Sequence, residues 1–169
     1  MPSFRNQRRV GHRADQMFDL VADVERYPEF VPLCQSLKVR RRSAGEAGTD
    51  ALLAEMEVGF KAIHERFMSR VTLDRGNMRI LVEYVDGPFS HLENAWTFRD
   101  ATGESGRACL VEFFIDYQFR NRALGLLMGS MFDVAFRKFS AAFEARADKV
   151  YGRGPDAPAP AANAPQASS

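Results

Sequence analysis

The sequence predicts an α+β fold in which one curved antiparallel sheet of about six to seven strands wraps around one long C-terminal helix. Apolar and polar residues alternate with a period of two from Ala51 to Phe119, which is typical of half-buried antiparallel strands. Between Asn121 and Gly152 the apolar residues instead recur at helical spacing. About 30 residues at 1.5 Å each give ~45 Å of helix, so this helix has to lie across a sheet, whose apolar face needs a cover.

The chain is expected to open with a strand followed by a short helix. Residues 3–11 have the pattern of a strand. The segment "ADQMFDLVADV", which begins at Ala14, places Met17, Phe18, Val21 and Val24 at helical spacing. We therefore expect the first strand to lead directly into a short amphipathic helix.

The next stretch, "ERYPEFVPLC" at residues 25–34, combines two prolines with large apolar side chains. Pro28 and Pro32 disfavour a regular helix or strand, because each fixes φ, lacks an N–H and restricts the residue before it. Loops usually run over the surface among polar residues, yet this one carries Tyr27, Phe30, Val31 and Leu33. From the residues alone, these side chains either plug one end of the core or line the entrance of a cavity.

The alternating segments assign one face of each strand to the interior. In "ALLAEMEVGF" the apolar face holds Leu52, Ala54, Met56, Val58 and Phe60. In "AIHERFMSRVTL" it holds Ile63, Phe67, Val71 and Leu73. The segments "MRILVEY", "HLENAWTF" and "ACLVEFFIDYQF" continue the pattern, and the turn sequences at 74–77, 86–88 and 102–106 separate the successive strands.

The long helix is expected to begin after Asn121, a suitable N-cap, and to end at Gly152. Its apolar stripe consists of Leu124, Leu127, Met128, Phe132, Ala135, Phe136, Phe139 and Phe143. Residues 152–169 are rich in proline and alanine and have no large apolar side chain, so they predict a disordered tail. The folded domain is therefore expected to span residues 1–151.

Composition limits the classes of function. A formal net charge of +1 over 169 residues argues against a strongly electrostatic nucleic-acid-binding domain, and DNA is not an expected partner. The basic residues are nevertheless clustered, and we consider them either solvated strand faces or a surface for an anionic partner. The two clusters are Arg5, Arg8 and Arg9 at the start of the chain, and Lys38, Arg40, Arg41 and Arg42.

Motifs for catalysis, metal binding and membrane insertion are not found in the sequence. Cys34 and Cys109 lack metal-type spacing and are expected to be free thiols in a reducing compartment. The three histidines form no metal or nucleophile-base motif, so neither a catalytic residue nor a metal site is predicted. The longest apolar stretch is shorter than the ~20 residues that a membrane-spanning helix needs.

Two polar residues share the inward face of predicted strands. Glu65 has the parity of Phe67, and burying its carboxylate without a partner would be costly. One interpretation of Glu65 is a polar anchor for a ligand. The other is a structural residue, which either forms an ion pair or is turned outward. Asn94 has the parity of Trp96 and is either a second polar anchor or a core amide with satisfied hydrogen bonds.

Three stretches resemble the coenzyme Q-binding family of START-like, helix-grip proteins: "VERYPEFVPLC", "VGFKAIHERFMSRVTL" and "NRALGLLMGSMF". Bacterial members of this family are also described as ribosome-association toxins or as polyketide cyclase/dehydrase-like proteins. The likeness covers residues 1–151. It implies the helix-grip fold, with two short helices after the first strand and a hydrophobic cavity between the sheet and the long helix.

The resemblance further implies that the cavity binds ubiquinone or its polyprenyl precursor without catalysis or a required cofactor, in support of respiratory electron transport. The expected location is the bacterial cytoplasm, with peripheral contact to the inner membrane. The alternatives are an inhibitor of ribosomal subunit association that binds the large subunit, and a cyclase-like enzyme. The expected cavity residues are Tyr27, Phe30, Val31, Leu33, Met56, Phe60, Ile63, Glu65, Phe67, Asn94, Trp96, Phe113, Ile115, Tyr117, Leu124, Leu127, Met128, Phe132 and Phe136.

Overall fold

The strands and helices follow the order predicted from the sequence. The computed structural model describes residues 3–60, 62–101 and 108–152. The predicted turn at 102–106 and, apart from Gly152, the predicted tail lie outside the described residues. The strands are β1 (Ser3–Val10), β2 (Cys34–Ala44), β3 (Asp50–Phe60), β4 (Ile63–Asp74), β5 (Arg79–Asp86), β6 (Phe89–Ala101) and β7 (Ala108–Phe119). The helices are α1 (Ala14–Ala22), α2 (Arg122–Tyr151) and two 3₁₀ helices, Val24–Glu29 and Glu46–Gly48.

The seven strands form one antiparallel sheet in the order β1-β7-β6-β5-β4-β3-β2. Strands β2 to β7 are a meander in which each strand pairs with the next, and β1 pairs with β7, so β1 and β2 are the edge strands. In the pairing of β3 with β4, Met56 lies opposite Phe67 and Ala54 opposite Ser69. This register aligns the apolar faces of neighbouring strands on one side of the sheet, which we call the inner face.

Helix α2 covers part of the inner face and begins and ends where the sequence predicts. The Oδ1 atom of Asn121 accepts a hydrogen bond of 2.9 Å from the backbone N–H of Leu124, and Gly152 ends the helix at a positive φ of 76°. The ring of Phe132 packs against Phe89 at 5.7 Å between centroids, and that of Phe143 packs against Trp96 at 4.9 Å. Aromatic contacts of this kind fix the helix on the sheet.

The proline-containing stretch is more regular than the sequence predicts. Its first half forms the 3₁₀ helix Val24–Glu29, which includes Pro28. The fixed φ of proline suits a 3₁₀ helix, and a helix this short requires few backbone hydrogen bonds. The second half, residues 30–33, is irregular and ends at Leu33, whose φ of 68° is positive. The two short helices expected after the first strand are therefore α1 and this 3₁₀ helix.

Both cysteines are free, as predicted, and both are buried. Desolvation by burial raises the pKa of Cys34 to about 12 and that of Cys109 also to about 12. Because nucleophilic cysteine chemistry needs the thiolate, both side chains act as small apolar groups near neutral pH.

Candidate functional site

A cavity of about 90 Å³ lies between the inner face of the sheet and α2. Aromatic side chains of α2 form one wall, and residues of β2 to β7 form the other. The residues Pro32 and Leu33 close the cavity on the side of the proline-containing stretch. Since a water molecule occupies about 30 Å³ in the liquid, this space corresponds to roughly three water molecules. An engineered cavity of about 150 Å³ holds one benzene molecule, so this space takes a whole ring only if its lining widens, and a long chain does not fit.

The residues that line the cavity are almost all apolar, and none of those described carries a formal charge. The hydroxyl of Tyr27 donates a hydrogen bond of 2.5 Å to the backbone carbonyl of Val21, and desolvation raises the pKa of this phenol. The Oδ1 atom of Asn94 accepts from the indole N–H of Trp96 at 3.0 Å, and its Nδ2 donates to the carbonyl of Phe114 at 2.8 Å. Asn94 is therefore the hydrogen-bonded core amide that the sequence left as one of two alternatives.

Ser69 on β4 is the exception among these polar side chains. The residue is only 5% exposed and lines the cavity, and its Oγ atom has no hydrogen-bond partner within the part of the chain that the structure describes. A buried polar group left unsatisfied in this way costs about 1–3 kcal/mol. The strand parity of Ser69 indicated that it faces inward, but no sequence pattern distinguished its hydroxyl from that of an ordinary core serine.

Nine of the predicted cavity residues line the cavity, and they come from every wall. They share either inward strand parity, a position on the buried stripe of α2, or a place in the proline-containing stretch. They are Tyr27, Leu33, Met56, Phe67, Asn94, Trp96, Ile115, Phe132 and Phe136. Sequence periodicity thus identified the faces that surround the cavity implied by the family resemblance, although it selected only part of the lining.

Other predicted residues are buried or half-buried but lie away from the cavity surface. These are Phe30, Val31, Ile63, Phe113, Tyr117, Leu124 and Met128. They belong to the surrounding apolar core or pack against it. Strand parity and helical spacing identify the face on which a side chain lies but not how far along the element the cavity extends.

Phe60 and Leu127 were predicted to line the cavity, but both are exposed. Phe60 is 47% exposed at the last position of β3. It has inward parity but lies at the rim of the sheet. Leu127 is 59% exposed. At 3.6 residues per turn it is turned about 100° around the helix axis from the fully buried Met128.

Glu65 also lies outside the cavity. It is half-buried near the start of β4 and lines a separate surface depression with Gln35, Glu57, His64 and Arg66. Its partner across the sheet is Val58, close to the end of β3. Val58 is itself buried and lines the cavity, so the edge of the cavity lies at this pair of residues, and the carboxylate does not serve as an anchor inside it.

The three histidines have partners outside the cavity. The buried His12 places its Nε2 atom 2.7 Å from an Asp148 oxygen, which links the end of β1 to the last turns of α2. His64 contacts Gln35 at 3.0 Å, and His91 contacts Asp116 at 3.2 Å. Among the described residues, no group of three or more His, Cys, Asp or Glu side chains is arranged to hold a metal ion.

The proline-containing stretch has two different roles in the structure. Phe30 packs against Phe143 at 5.0 Å between ring centroids, and the guanidinium of Arg146 lies 5.1 Å from the centre of the Phe30 ring. Arg146 also donates a hydrogen bond of 2.5 Å to Glu29. Leu33, in contrast, lines the cavity. Phe30 therefore braces the stretch against α2, while Leu33 forms cavity wall.

This division predicts different effects for two truncations. Phe30→Ala should lower the free energy of unfolding by about 1.5–3 kcal/mol and leave ligand binding by the folded protein unchanged. Leu33→Ala should weaken binding of an apolar ligand and affect stability less. Denaturant melts and ligand titrations on both variants measure this. A loss of binding in folded Phe30→Ala equal to that in Leu33→Ala would contradict the division.

The two basic clusters lie on the two edge strands, β1 and β2, with the other five strands between them. Several members are already engaged. Arg8 pairs with Glu144 at 2.7 Å. Arg40 pairs with Glu55 at 2.9 Å, and its hydrogen bond holds the pKa of the Glu55 carboxyl below its usual value. The other partners are Glu25 for Arg42 and the Phe114 ring for Arg5. Arg9, Lys38 and Arg41 are exposed.

Within the described ranges, no helix is both long enough and apolar enough to cross a membrane. The start of α2 is nevertheless apolar on its surface. Leu126 is 82% exposed and stands next to Leu127. Arg120 and Arg122 lie at the same end of the helix, and both are exposed.

The chain is similar to proteins of one family along most of its length. A family model described as polyketide cyclase / dehydrase and lipid transport matches residues 10–144. Ribosome association toxin RatA of Escherichia coli K12 is 34% identical over 151 residues, which are 89% of this chain and 90% of that protein. The mitochondrial coenzyme Q-binding protein COQ10 homolog B of Xenopus laevis is 34% identical over 147 residues. This match covers 85% of the chain and 57% of the relative, so the chain spans little more than half of that protein.

Solved structures have the same fold. A START superfamily protein from Mycobacterium smegmatis superimposes with a TM-score of 0.71 at 15% sequence identity, covering 88% of this chain and 98% of that one. An identity this low shows the fold alone. Together with the seven-stranded sheet and the long C-terminal helix, it confirms the predicted START-like fold.

Proposed function

Since the chain belongs to the polyketide cyclase / dehydrase and lipid transport family, we propose that its cavity binds a polyprenylated quinone without catalysing a reaction on it. The ligand is ubiquinone or its polyprenyl precursor, and its binding supports respiratory electron transport. The observation that carries the proposal is the cavity itself, an uncharged apolar space between sheet and helix. The relative named as a coenzyme Q-binding protein, 34% identical to this chain, supports the choice of ligand.

The size of the cavity assigns different places to the two parts of such a ligand. A space of about 90 Å³ has to widen to take the quinone ring, since a cavity of about 150 Å³ holds one benzene molecule, and it excludes a long prenyl tail. Pro32 and Leu33 line the cavity and are partly exposed, so we place the tail along them and toward solvent or a membrane. An apolar tail along these side chains gains about 25 cal/mol for each Å² of apolar surface removed from water.

Binding rather than catalysis is proposed because the polar groups of the lining suit no proton transfer. A general acid or base needs a titratable group within hydrogen-bond reach of the reacting atom. The phenol of Tyr27 already donates to a backbone carbonyl, and burial raises its pKa. Both ends of the Asn94 amide are hydrogen-bonded. A cyclase-like reaction would lack an available acid or base among the described lining residues.

We place the protein in the bacterial cytoplasm and in contact with the inner-membrane surface. The start of α2 supports the membrane contact, since exposed Leu126 and Leu127 stand beside Arg120 and Arg122. Apolar side chains that insert at the lipid interface, together with cations that attract anionic head groups, are typical of peripheral membrane contact. A protein at this surface has direct access to quinone dissolved in the bilayer.

A fluorescence titration tests the proposed function. The chain has one tryptophan, Trp96, and it lines the cavity. A bound quinone ring should therefore quench tryptophan fluorescence. Ubiquinone with a two-unit prenyl tail is expected to quench it saturably, at one molecule per chain. Quenching that rises linearly with quinone and never saturates would contradict the proposal.

Association with the ribosome is the second candidate, favoured by the 34% identity to a ribosome association toxin over most of both chains. The basic clusters support it less, because they lie on opposite edge strands and several members pair with carboxylates. Binding to ribosomal RNA relies on neutralising phosphates and weakens steeply with salt. Salt-sensitive cosedimentation with large ribosomal subunits, by a protein that fails the quinone titration, would favour this candidate.

A further inference from the structure

Among the described residues that line the cavity, one hydrogen-bonding side chain is left unused by the fold. The Oγ atom of Ser69 is buried and has no hydrogen-bond partner in the described part of the chain, whereas Tyr27, Asn94 and Trp96 each have one. Ser69 lies opposite Ala54 on β3, whose side chain is too small to fill the space beside it. Its hydroxyl can both donate and accept a hydrogen bond.

We infer that Ser69 is the recognition group of this cavity, and that its hydroxyl donates a hydrogen bond to a carbonyl oxygen on the ring of a neutral ligand. This inference rests on the proposed function, since it concerns the same cavity. Burying a polar group is costly unless it is paired, and a ligand carbonyl supplies the missing partner.

The same lining selects against charged ligands. No described lining residue carries a charge, so a carboxylate or phosphate in the cavity would be buried without a counter-ion. Neutral ring compounds with oxygen substituents are the class that fits, and the quinone head group belongs to it. Fatty acids and phospholipid head groups are outside this class.

The chain offers a matched control for Ser69. Ser140 on α2 is also a buried serine, and its Oγ atom likewise lacks a partner among the residues that the structure describes. It does not line the cavity. Replacing either serine by alanine removes one buried, unsatisfied hydroxyl, but only the change at position 69 removes a group from the ligand site.

The experiment compares two neutral probes on Ser69→Ala, Ser140→Ala and the unaltered protein. The first probe is ubiquinone with a two-unit prenyl tail, followed by Trp96 quenching. The second is a benzene ring with the same tail and no oxygen, measured by competition against the first. Ser69→Ala should bind the quinone about five- to tenfold more weakly, the effect of one hydrogen bond. Its affinity for the hydrocarbon should not change, and Ser140→Ala should bind both probes normally.

The outcomes separate this inference from the proposed function. Ser69→Ala should melt at the same temperature as the unaltered protein or higher, because no native hydrogen bond is lost. If the quinone binds Ser69→Ala as tightly as the unaltered protein, the role of Ser69 is refuted while the cavity remains the site. The same holds if Ser140→Ala weakens quinone binding as much as Ser69→Ala does. If the unaltered protein binds neither probe, the proposed function fails and this inference fails with it.

Discussion

Ala135→Leu is expected to lower the affinity for a short-chain quinone at least tenfold while the protein remains folded. Ala135 is a buried residue of α2 that lines the cavity. A leucine at this position adds three carbon atoms to a space of about 90 Å³, which leaves no room for a ring. Filling existing empty space adds apolar contacts, so stability should change by less than about 1.5 kcal/mol.

The control for this change is Ala141→Leu, the same substitution at an exposed position of the same helix. It should leave the affinity for quinone unchanged. Trp96 quenching and denaturant melts measure binding and stability for both variants. If Ala135→Leu is folded and binds quinone as tightly as the unaltered protein, the ligand does not occupy this cavity.

Gly87→Ala is expected to lower the free energy of unfolding by about 2–4 kcal/mol. Gly87 lies in the turn between β5 and β6 with a φ of 143°, which side-chain-bearing residues rarely adopt. A Cβ atom there would lie 2.5 Å from the Cβ of Phe67 and 2.9 Å from its Cα. The backbone strain and the clash act together. Because Phe67 lines the cavity, quinone binding should weaken as well.

Gly129→Ala provides the contrast. A Cβ atom at Gly129 would meet no atom of the described structure within 4 Å outside its own helix turn. Because alanine favours a helix interior over glycine, this change should stabilise the protein by about 0.5–1 kcal/mol. Denaturant melts measure the change in the free energy of unfolding for both variants. A Gly87→Ala protein as stable as the unaltered one would mean that the turn relaxes without cost.

The sequence predicted the fold because each element carries its own periodic signal. The alternation in β3 and β4 assigned Leu52, Ala54, Phe67 and Val71 to the interior, and all four are buried. Such alternation specifies the register wherever one face of a sheet is buried. The signal for the start of α2 is also contained in the local sequence, since an asparagine side chain caps the helix that follows it directly.

The extent of the cavity was less predictable, since it depends on how far α2 reaches across the sheet. Phe60 and Glu65 have inward parity, yet Phe60 is exposed at the end of β3. Glu65 lines a separate surface depression, although Val58 opposite it lines the cavity. Leu127 fits the helical spacing, yet it turns outward beside the buried Met128. Periodicity defines a face of an element, whereas only the packed structure defines which part of that face is enclosed.

Ser69 shows the other limit of sequence reasoning. Its inward position followed from strand parity, but a buried serine usually finds a hydrogen-bond partner in the fold. Whether it does depends on residues from other elements that the sequence does not place. The same limit applies to the proline-containing stretch. Phe30 contacts Phe143 and Arg146 of α2, whereas Leu33 lines the cavity, and the sequence does not reveal this difference in role.

The most direct measurement is the identity of the molecule that the protein carries from the cell. The full chain is purified without detergent from a ubiquinone-producing bacterium, extracted with organic solvent and analysed by mass spectrometry, with Ala135→Leu prepared in parallel. We expect a polyprenylated quinone in the extract of the unaltered protein and much less in that of the variant. An extract without quinone, or equal amounts of quinone in both extracts, would refute quinone binding in this cavity.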